Sequence, residues 1–417
     1  MNIRQHVRHI GSVMCGMILT IGTLGVTVTD AATYYTATTG NDANPGTQAS
    51  PFRTINRGVK ALKPGDTLRV KGGTYPETLQ NPLPSGLSAS QPTTIEGDPA
   101  PNRPIIKPSG GSTNIVLLSQ DRSHIRFKQL VIDGSAHSGS GVVPFNIDNS
   151  RKITGLVIED SEFIGHAKGG VVLKIGAGTV ATVRRSTFKR PINCMGGNPS
   201  CSGKVGVYWQ GSNGLFEHNE IFWMGHYGVQ IYSTKGGTNS NIVRNNYIHH
   251  NQGALYIGTG SNNEAYRNVI VNNGGGIGVV GSSTKIYNNT IYNNNGSGGA
   301  RGGIRLIGGS NHYIRNNIAY QHSGGNIVRV NGSGTLSHNL CTGHSSCAVT
   351  SDPQFVDAAG GNFALRATSP AIDAGTANVA PGITVTGNGS PDIGAYEYGA
   401  TGVSVSAPKS LRIIPAD

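Results

Sequence analysis

Seven short frames recur in the middle of the chain: GVVLKI, GVYWQG, GVQIYS, ALYIGT, GIGVVG, GIRLIG and NIVRVN. If each is a strand, side chains alternate between two faces. One face takes Val171/Leu173, Val207/Trp209, Val229/Ile231, Leu255/Ile257, Ile277/Val279 and Ile304/Leu306. The other takes Val172/Lys174, Tyr208/Gln210, Gln230/Tyr232, Tyr256, Gly278/Val280 and Arg305, and GVVPFNIDN adds Asn146 and Asp148 to it. Tyrosine rings stack on sugars, while Gln, Lys and Arg bond hydroxyls and carboxylates. The chemistry predicted for this strip is glycan binding, along roughly 30 Å if successive strands lie about 4.8 Å apart. An ordinary exposed sheet face, where aromatic residues favour strands, is the plainer reading. Three tyrosines beside otherwise small residues favour the groove. His166 and Lys168 lead into the Lys174 strand, and His226 and Tyr227 into the Gln230 strand. Each histidine is either a groove residue or a solvated turn residue.

A repeat must position these strands. The column of Asn246 in VRNNYI recurs in FEHNEI (Asn219), AYRNVI (Asn268), IYNNTI (Asn289), IRNNIA (Asn317) and LSHNLC (Asn339). Two earlier copies, IEDSEF and VRRSTF, place Ser161 and Ser186 there. The irregular period and three short apolar pulses per unit exclude helical repeats and propeller blades. They predict an all-β solenoid of three-strand coils stacked in parallel. Asn tolerates left-handed turn geometry, and amides stacked at one height can bond to one another as a ladder. The Asn column is therefore assigned to the scaffold.

Composition sets the setting. The chain has 417 residues, 62 of them Gly, and only 13% are charged, which suits an all-β chain with many tight turns. Arg4 and Arg8, an apolar run from Ile10 to about Val28, and Ala31 and Ala32 predict an export signal over residues 1–31. Export leaves four cysteines in two local pairs, predicting disulfides Cys194–Cys201 and Cys341–Cys347. Loss of two cations and one anion with the signal takes the formal charge from +12 to +11. A basic exported protein points to a polyanionic partner, here an acidic polysaccharide. No Lys/Arg cluster is dense enough to single out nucleic acid. A secreted, cell-surface or periplasmic monomer without a transmembrane span in the mature chain is expected.

The ends carry distinctive motifs. In SPFRTINRGVKALKPGD, Ser50 is a candidate N-cap, Pro51 opens the helix, and Phe52, Ile55, Val59 and Leu62 form its apolar face. This helix would cap the first coil. The segment YYTATTGNDANPGTQASPFRTINRGVKALKPGDTLRVKGGTYPETL resembles the N-terminal cap and first coil of right-handed parallel β-helix proteins of the pectate-lyase-like superfamily, near polysaccharide lyase family 9. DPQFVD…NFALRATSPAIDAGT…PDIGAYEY is similar to the end segment of bacterial β-helix proteins described as choice-of-anchor Q. The expected organisation is a β-helix with its cap over 32–345, a C-terminal coil or capping segment over 346–398, and a tail over 399–417.

The resemblance implies an extracellular right-handed β-helix that acts on uronic-acid polysaccharides. In that family an Asp cluster holds Ca²⁺ and a Lys is the base. The corresponding stretch here, HAKGGVVLK, has no carboxylate, and the nearby acids Asp133, Asp148, Glu159, Asp160 and Glu162 fall on different elements. No cofactor is therefore firmly expected, and Ca²⁺ stays open. β-Elimination needs a base for the proton α to the carboxylate and a cation to neutralise that carboxylate. Without calcium, Lys174 or Arg305 could be the cation, and Tyr208, His226 or Lys174 the base. Asn146, Asp148, Gln210, Gln230, Tyr232 and Tyr256 would bind substrate. Hydrolysis needs paired carboxylates, which the strip lacks. A C5-epimerase sharing the same proton abstraction, or a non-catalytic glycan-binding adhesin, are the alternatives.

Overall fold

The computed structural model describes residues 31–399 except 140, 168, 193–203, 235 and 297–300. Nearly all of the expected leader and tail, Lys168 and the Cys194–Cys201 loop lie outside the described residues. Among those described, three long parallel sheets of 13, 12 and 10 strands dominate. The first runs from Thr33–Thr36 to Gly334–Ser337, the second from Thr74–Tyr75 to Cys347–Val349, and the third from Leu79–Gln80 to Ile327–Arg329. One coil is Leu215–Glu217, Glu220–Phe222 and Tyr227–Ile231. Ile242–Arg244 then lies in parallel register on Leu215–Glu217 and starts the next coil. Inside, Phe127, Phe145, Phe163, Phe188 and Phe216 follow one another at 5.0, 6.1, 4.9 and 5.8 Å between ring centroids.

The Asn column is a ladder through the corner between the first and second sheets. Backbone N–H and Nδ2 of Asn246 both donate to Asn268 Oδ1, at 3.1 and 2.9 Å, and Asn268 does the same to Asn289 at 3.0 Å each. Asn289 continues to Asn317, and Asn317 to Asn339. Ser161 and Ser186 extend the ladder with hydroxyls accepting from Leu130 and Ser161 N–H. One detail differs from expectation. The left-handed residue is the one before the column, as at Asn245, Arg267, Asn288 and Asn316. That residue turns the chain, which frees the following Asn to point inward and bond.

Two further ladders went unread in the sequence. Asn251, Asn273 and Asn294 link the corner between the second and third sheets, and Asn241 and Asn263 that between the third and first. His322 ends the Asn251 ladder as an asparagine mimic. Its Nδ1 accepts from Asn294 N–H, and its Nε2–H donates to Ile291 O, both at 3.1 Å. Burial lowers the His322 pKa to about 4, so the ring is neutral in the folded protein at neutral pH. The unfolded chain takes up this proton near pH 6.5, so stability is lost as pH falls from there toward 4. With a discount for the partly exposed ring edge, the loss is about 2–3 kcal/mol. His322→Asn is expected to keep both bonds and to flatten this slope, read from urea unfolding between pH 8 and 4. An unchanged slope would refute the assignment.

The outer face of the first sheet is self-neutralising. Arg69, Glu96, Lys128, Glu159, Arg184, Glu217 and Arg244 are successive register partners, alternating in sign. Glu159 is within reach of Arg126 at 3.6 Å, Arg184 at 2.7 Å and Arg185 at 2.8 Å. A slip by one coil would bring like charges together, so this column also fixes the stacking order. The second sheet is covered instead. Phe355, Phe363, Leu365, Ala371, Ile393 and Ala395 of the C-terminal segment cluster with Tyr247, Val269, Val271 and Ile318. Asn316 clamps that segment, accepting from Thr376 N–H and donating to Thr376 O.

The front helix is shorter than the sequence suggests. It spans Ile55–Val59, and its N-cap is Thr54, whose Oγ1 accepts from Arg57 N–H. Phe52 is drawn into a parallel bridge with Thr36, and Asp42 Oδ1 binds the N–H groups of Arg53 and Thr54 at 2.9 Å. Those bonds hold Pro51–Arg53 out of the helix. The Cys341–Cys347 disulfide is formed, with 5.1 Å between Cα atoms. Among the described residues no helix is long and apolar enough to cross a membrane.

Candidate functional site on the third sheet

Parallel register brings most of the expected strip into one line. Asn146 pairs with Lys174, Lys174 with Tyr208, Tyr208 with Gln230, Gln230 with Tyr256, Tyr256 with Gly278, and Gly278 with Arg305. Each step is one coil, about 4.8 Å. All of the side-chain-bearing residues in this line are half-buried. Among the described residues, no hydrogen bond or ion pair engages the side chains of Lys174, Tyr208, Gln230, Tyr256 or Arg305. This contrasts with the neutralised first sheet and the covered second. Among the described residues, the third sheet alone presents such a column of unengaged polar side chains.

Strict alternation fails at the start of each of these strands. Val172 and Leu173 are both fully buried, and so are Ala254 and Leu255. A side chain at Gly206 would meet Ile221 and Met224, and one at Gly228 would meet Ile248 and Asn251, all on the core side. The strand bends as it leaves the corner, so two successive residues face inward and the one before them faces out. Val172 is thereby moved inside, and Tyr227 turns away from the core, though only 8% of it is exposed.

That shift builds an aromatic wall. Tyr227 stacks on Tyr256 at 4.8 Å and 15°, Tyr232 stands 6.5 Å from Tyr256, and His226 lies edge-on to Tyr227 at 4.3 Å. Gly253 and Gly258 make the room, since a Cβ would come within 2.6 Å of the Tyr227 ring at the first and 2.3 Å of Tyr256 at the second. Burial and the neighbouring Tyr232 raise the pKa of Tyr208 and of Tyr256, and burial with Tyr256 raises that of Tyr227. Burial lowers that of His226.

The other expected residues are placed differently. Gln210 is only 5% exposed, and its Oε1 is buried without a partner. Asp148 Oδ1 accepts from Ser150 N–H and Oγ at 2.8 Å, and these bonds, with Arg151 and Lys174 nearby, lower its pKa. Asn146 Nδ2 donates to Asn114 Oδ1 at 2.9 Å, which adds Asn114 to the face. Its strand, Asn114–Leu118, follows the same in-in-out pattern, a signal available in NIVLL. His166 lends its backbone carbonyl to the buried Arg190.

The acids near the strip do not converge as a calcium site would require. Asp133 is held by Lys107 at 2.8 Å, Glu162 by Lys189 at 2.8 Å, Asp160 by Arg185 at 2.7 Å, and Glu159 by arginines. Hard cations need several converging oxygens. These carboxylates are spent on separate cations, and no group of three candidate ligands occurs among the described residues.

Residues 170–341 match a family model described as "Right handed beta helix region". The chain is a right-handed parallel β-helix. Solved β-helices with similar structure include pectate lyase Pel9A, at TM-score 0.63 and 18% identity, covering 89% of this chain and 98% of that one. A rhamnogalacturonan lyase aligns at TM-score 0.55 and 17% identity over 78% of this chain and 91% of its own. A lacto-N-biosidase from Eubacterium ramulus aligns at 0.53 and 13% identity over 74% and 63%. No curated protein matches the sequence. At these identities the likeness is one of fold, and activity in this β-helix has to be argued from its own residues.

Proposed function

We propose that the outer face of the third sheet binds an acidic, uronate-containing polysaccharide and cleaves it by β-elimination, outside the cytoplasm. The observation that carries this reading is the column of unengaged Lys174, Tyr208, Gln230, Tyr256 and Arg305 side chains on the one sheet face left open. Fold likeness to pectate and rhamnogalacturonan lyases supports it, as does the formal charge of +12. Lys174 and Tyr208 are register partners, so both can reach one sugar. The Lys174 ammonium faces the uronate carboxylate and stabilises the charge that develops as the α proton leaves. Tyr208, as phenolate, takes that proton from C5. The C–H electron pair forms the C4–C5 double bond, the C4–O bond breaks, and the leaving oxygen takes the proton back from the Tyr208 hydroxyl, which restores the phenolate. His226 lies four residues before Gln230, roughly 13 Å along the strand, and is better placed to position Tyr227 than to act as base.

The pH dependence follows from Tyr208. Its pKa is raised by burial and by Tyr232, so the phenolate is scarce at neutral pH and grows tenfold per unit toward alkaline pH. kcat/KM is expected to climb with pH between 7 and 9. A flat profile would exclude Tyr208 as the base.

A second reading, glycan binding without cleavage, is favoured by the same raised pKa and by the lack of a converging acid cluster among the described residues. One assay separates the two. The protein is incubated with polyuronates and uronate heteropolysaccharides, with and without chelator, while ultraviolet absorbance of unsaturated sugar ends is followed. Product formed with chelator present supports the Lys174–Tyr208 mechanism. Binding without product supports the adhesin, and altered uronate epimer ratios without unsaturation support an epimerase. Product that vanishes with chelator would restore the calcium site.

A further inference from the structure

Charge along the proposed site is unevenly spaced. Lys174 and Arg305 are five register steps apart, roughly 24 Å. The ladder positions between them are Tyr208, Gln230, Tyr256 and Gly278, none of them charged. Outward positions on either side of these carry Tyr, Val and Gly, beside the buried Gln210. Beyond Lys174 the face carries Asn146, tied to Asn114, and the carboxylate of Asp148, kept ionised by its bonds to Ser150.

A sugar ring advances along an extended glycan about as far as one coil along the solenoid. A homopolymer of uronates would therefore set carboxylates against Tyr208, Gln230 and Tyr256 with no cation at those ladder positions to meet them, and another toward Asp148. Desolvating an anion without a partner is costly. The central wall of Tyr227, Tyr256 and Tyr232 offers instead ring edges and free hydroxyls, which suit uncharged sugars.

Resting on the reading of this face as a uronate site, we infer that its ligand is a sparsely charged heteropolysaccharide. One uronate is held at Lys174, several neutral sugars lie across the tyrosine wall, and a second uronate reaches Arg305. The arrangement selects against polyuronates.

The test is calorimetric binding, at one fixed salt concentration, of length-matched fragments of gellan and of polygalacturonate. In gellan the uronates are separated by neutral sugars; in polygalacturonate every sugar is a uronate. Gellan fragments are expected to bind at least tenfold more tightly. Arg305→Gln should weaken gellan binding about tenfold and change polygalacturonate binding little. Equal or tighter binding of polygalacturonate would overturn the spacing while leaving the face a uronate site. Gellan binding insensitive to Arg305→Gln would overturn the second subsite. Failure of both polymers to bind would overturn the underlying reading as well.

Discussion

Asn268→Ala is expected to lower the unfolding free energy by roughly 3–5 kcal/mol, summing several buried groups that each cost about 1–3 kcal/mol when left unpaired. Asn268 is fully buried, and its Oδ1 accepts from both the backbone and the side-chain amide of Asn246. Its own Nδ2 donates to Val243 O at 2.8 Å and to Asn289 Oδ1 at 3.0 Å. Truncation strands two donors on Asn246 and the carbonyl of Val243 in a corner with no access to water. Asn268→Asp would not rescue the loss, because it keeps the acceptor but removes the donor and buries a charge. Urea unfolding of the two variants checks this, and a loss under 1 kcal/mol for Asn268→Ala would show that the ladder is incidental. Asn268 bonds the coil before it and the coil after it, so the defect weakens those two interfaces of the stack and leaves more distant ones unchanged.

Lys174→Ala is expected to lower kcat/KM on an acidic polysaccharide by about 10²–10³, the usual effect of removing a group that meets developing transition-state charge. The ammonium has no ion pair among the described residues, so its removal leaves no orphaned partner and stability should be unchanged. Lys285→Ala is the control: that lysine is bound to Glu264 at 2.9 Å on the first sheet, and activity should not move. Lys174→Arg should recover part of the loss by restoring charge in a different geometry. Full activity in Lys174→Ala would remove the cation from the mechanism. If the β-helix binds without cleaving, the same substitution should weaken binding by about ten- to a hundredfold, the worth of one charge-assisted hydrogen bond.

Much of this was legible because solenoid physics writes itself into the sequence. Asn recurring before an apolar pulse marks a buried corner ladder, and six such frames, VRNNYI, AYRNVI and IYNNTI among them, each supplied one member directly. The ladders at the other two corners are less legible in the sequence for chemical reasons. Their columns are short and close on His322 and His312, which accept through Nδ1 where an asparagine would use Oδ1. The site was half legible. Period-two alternation put Lys174, Tyr208, Gln230, Tyr256 and Arg305 on one face, and register agrees. The same rule misplaced Val172 and left Tyr227 as a turn residue, because it assumes a straight strand.

The sequence by itself determined the three-strand coil, the outward column and the Asn scaffold, since each depends on spacing within a short stretch of chain. Only the tertiary structure decided which face remains open for chemistry. Glu217 reads as a surface acid until Arg244, a coil away, neutralises it, and Val269 and Val271 read as outward and exposed until residues from Phe355 onward cover them. Lys174 and Arg305 differ from the paired cations of the other two sheets only in what fails to stack beside them. That is a property of neighbouring coils and a distant segment, which no local pattern encodes.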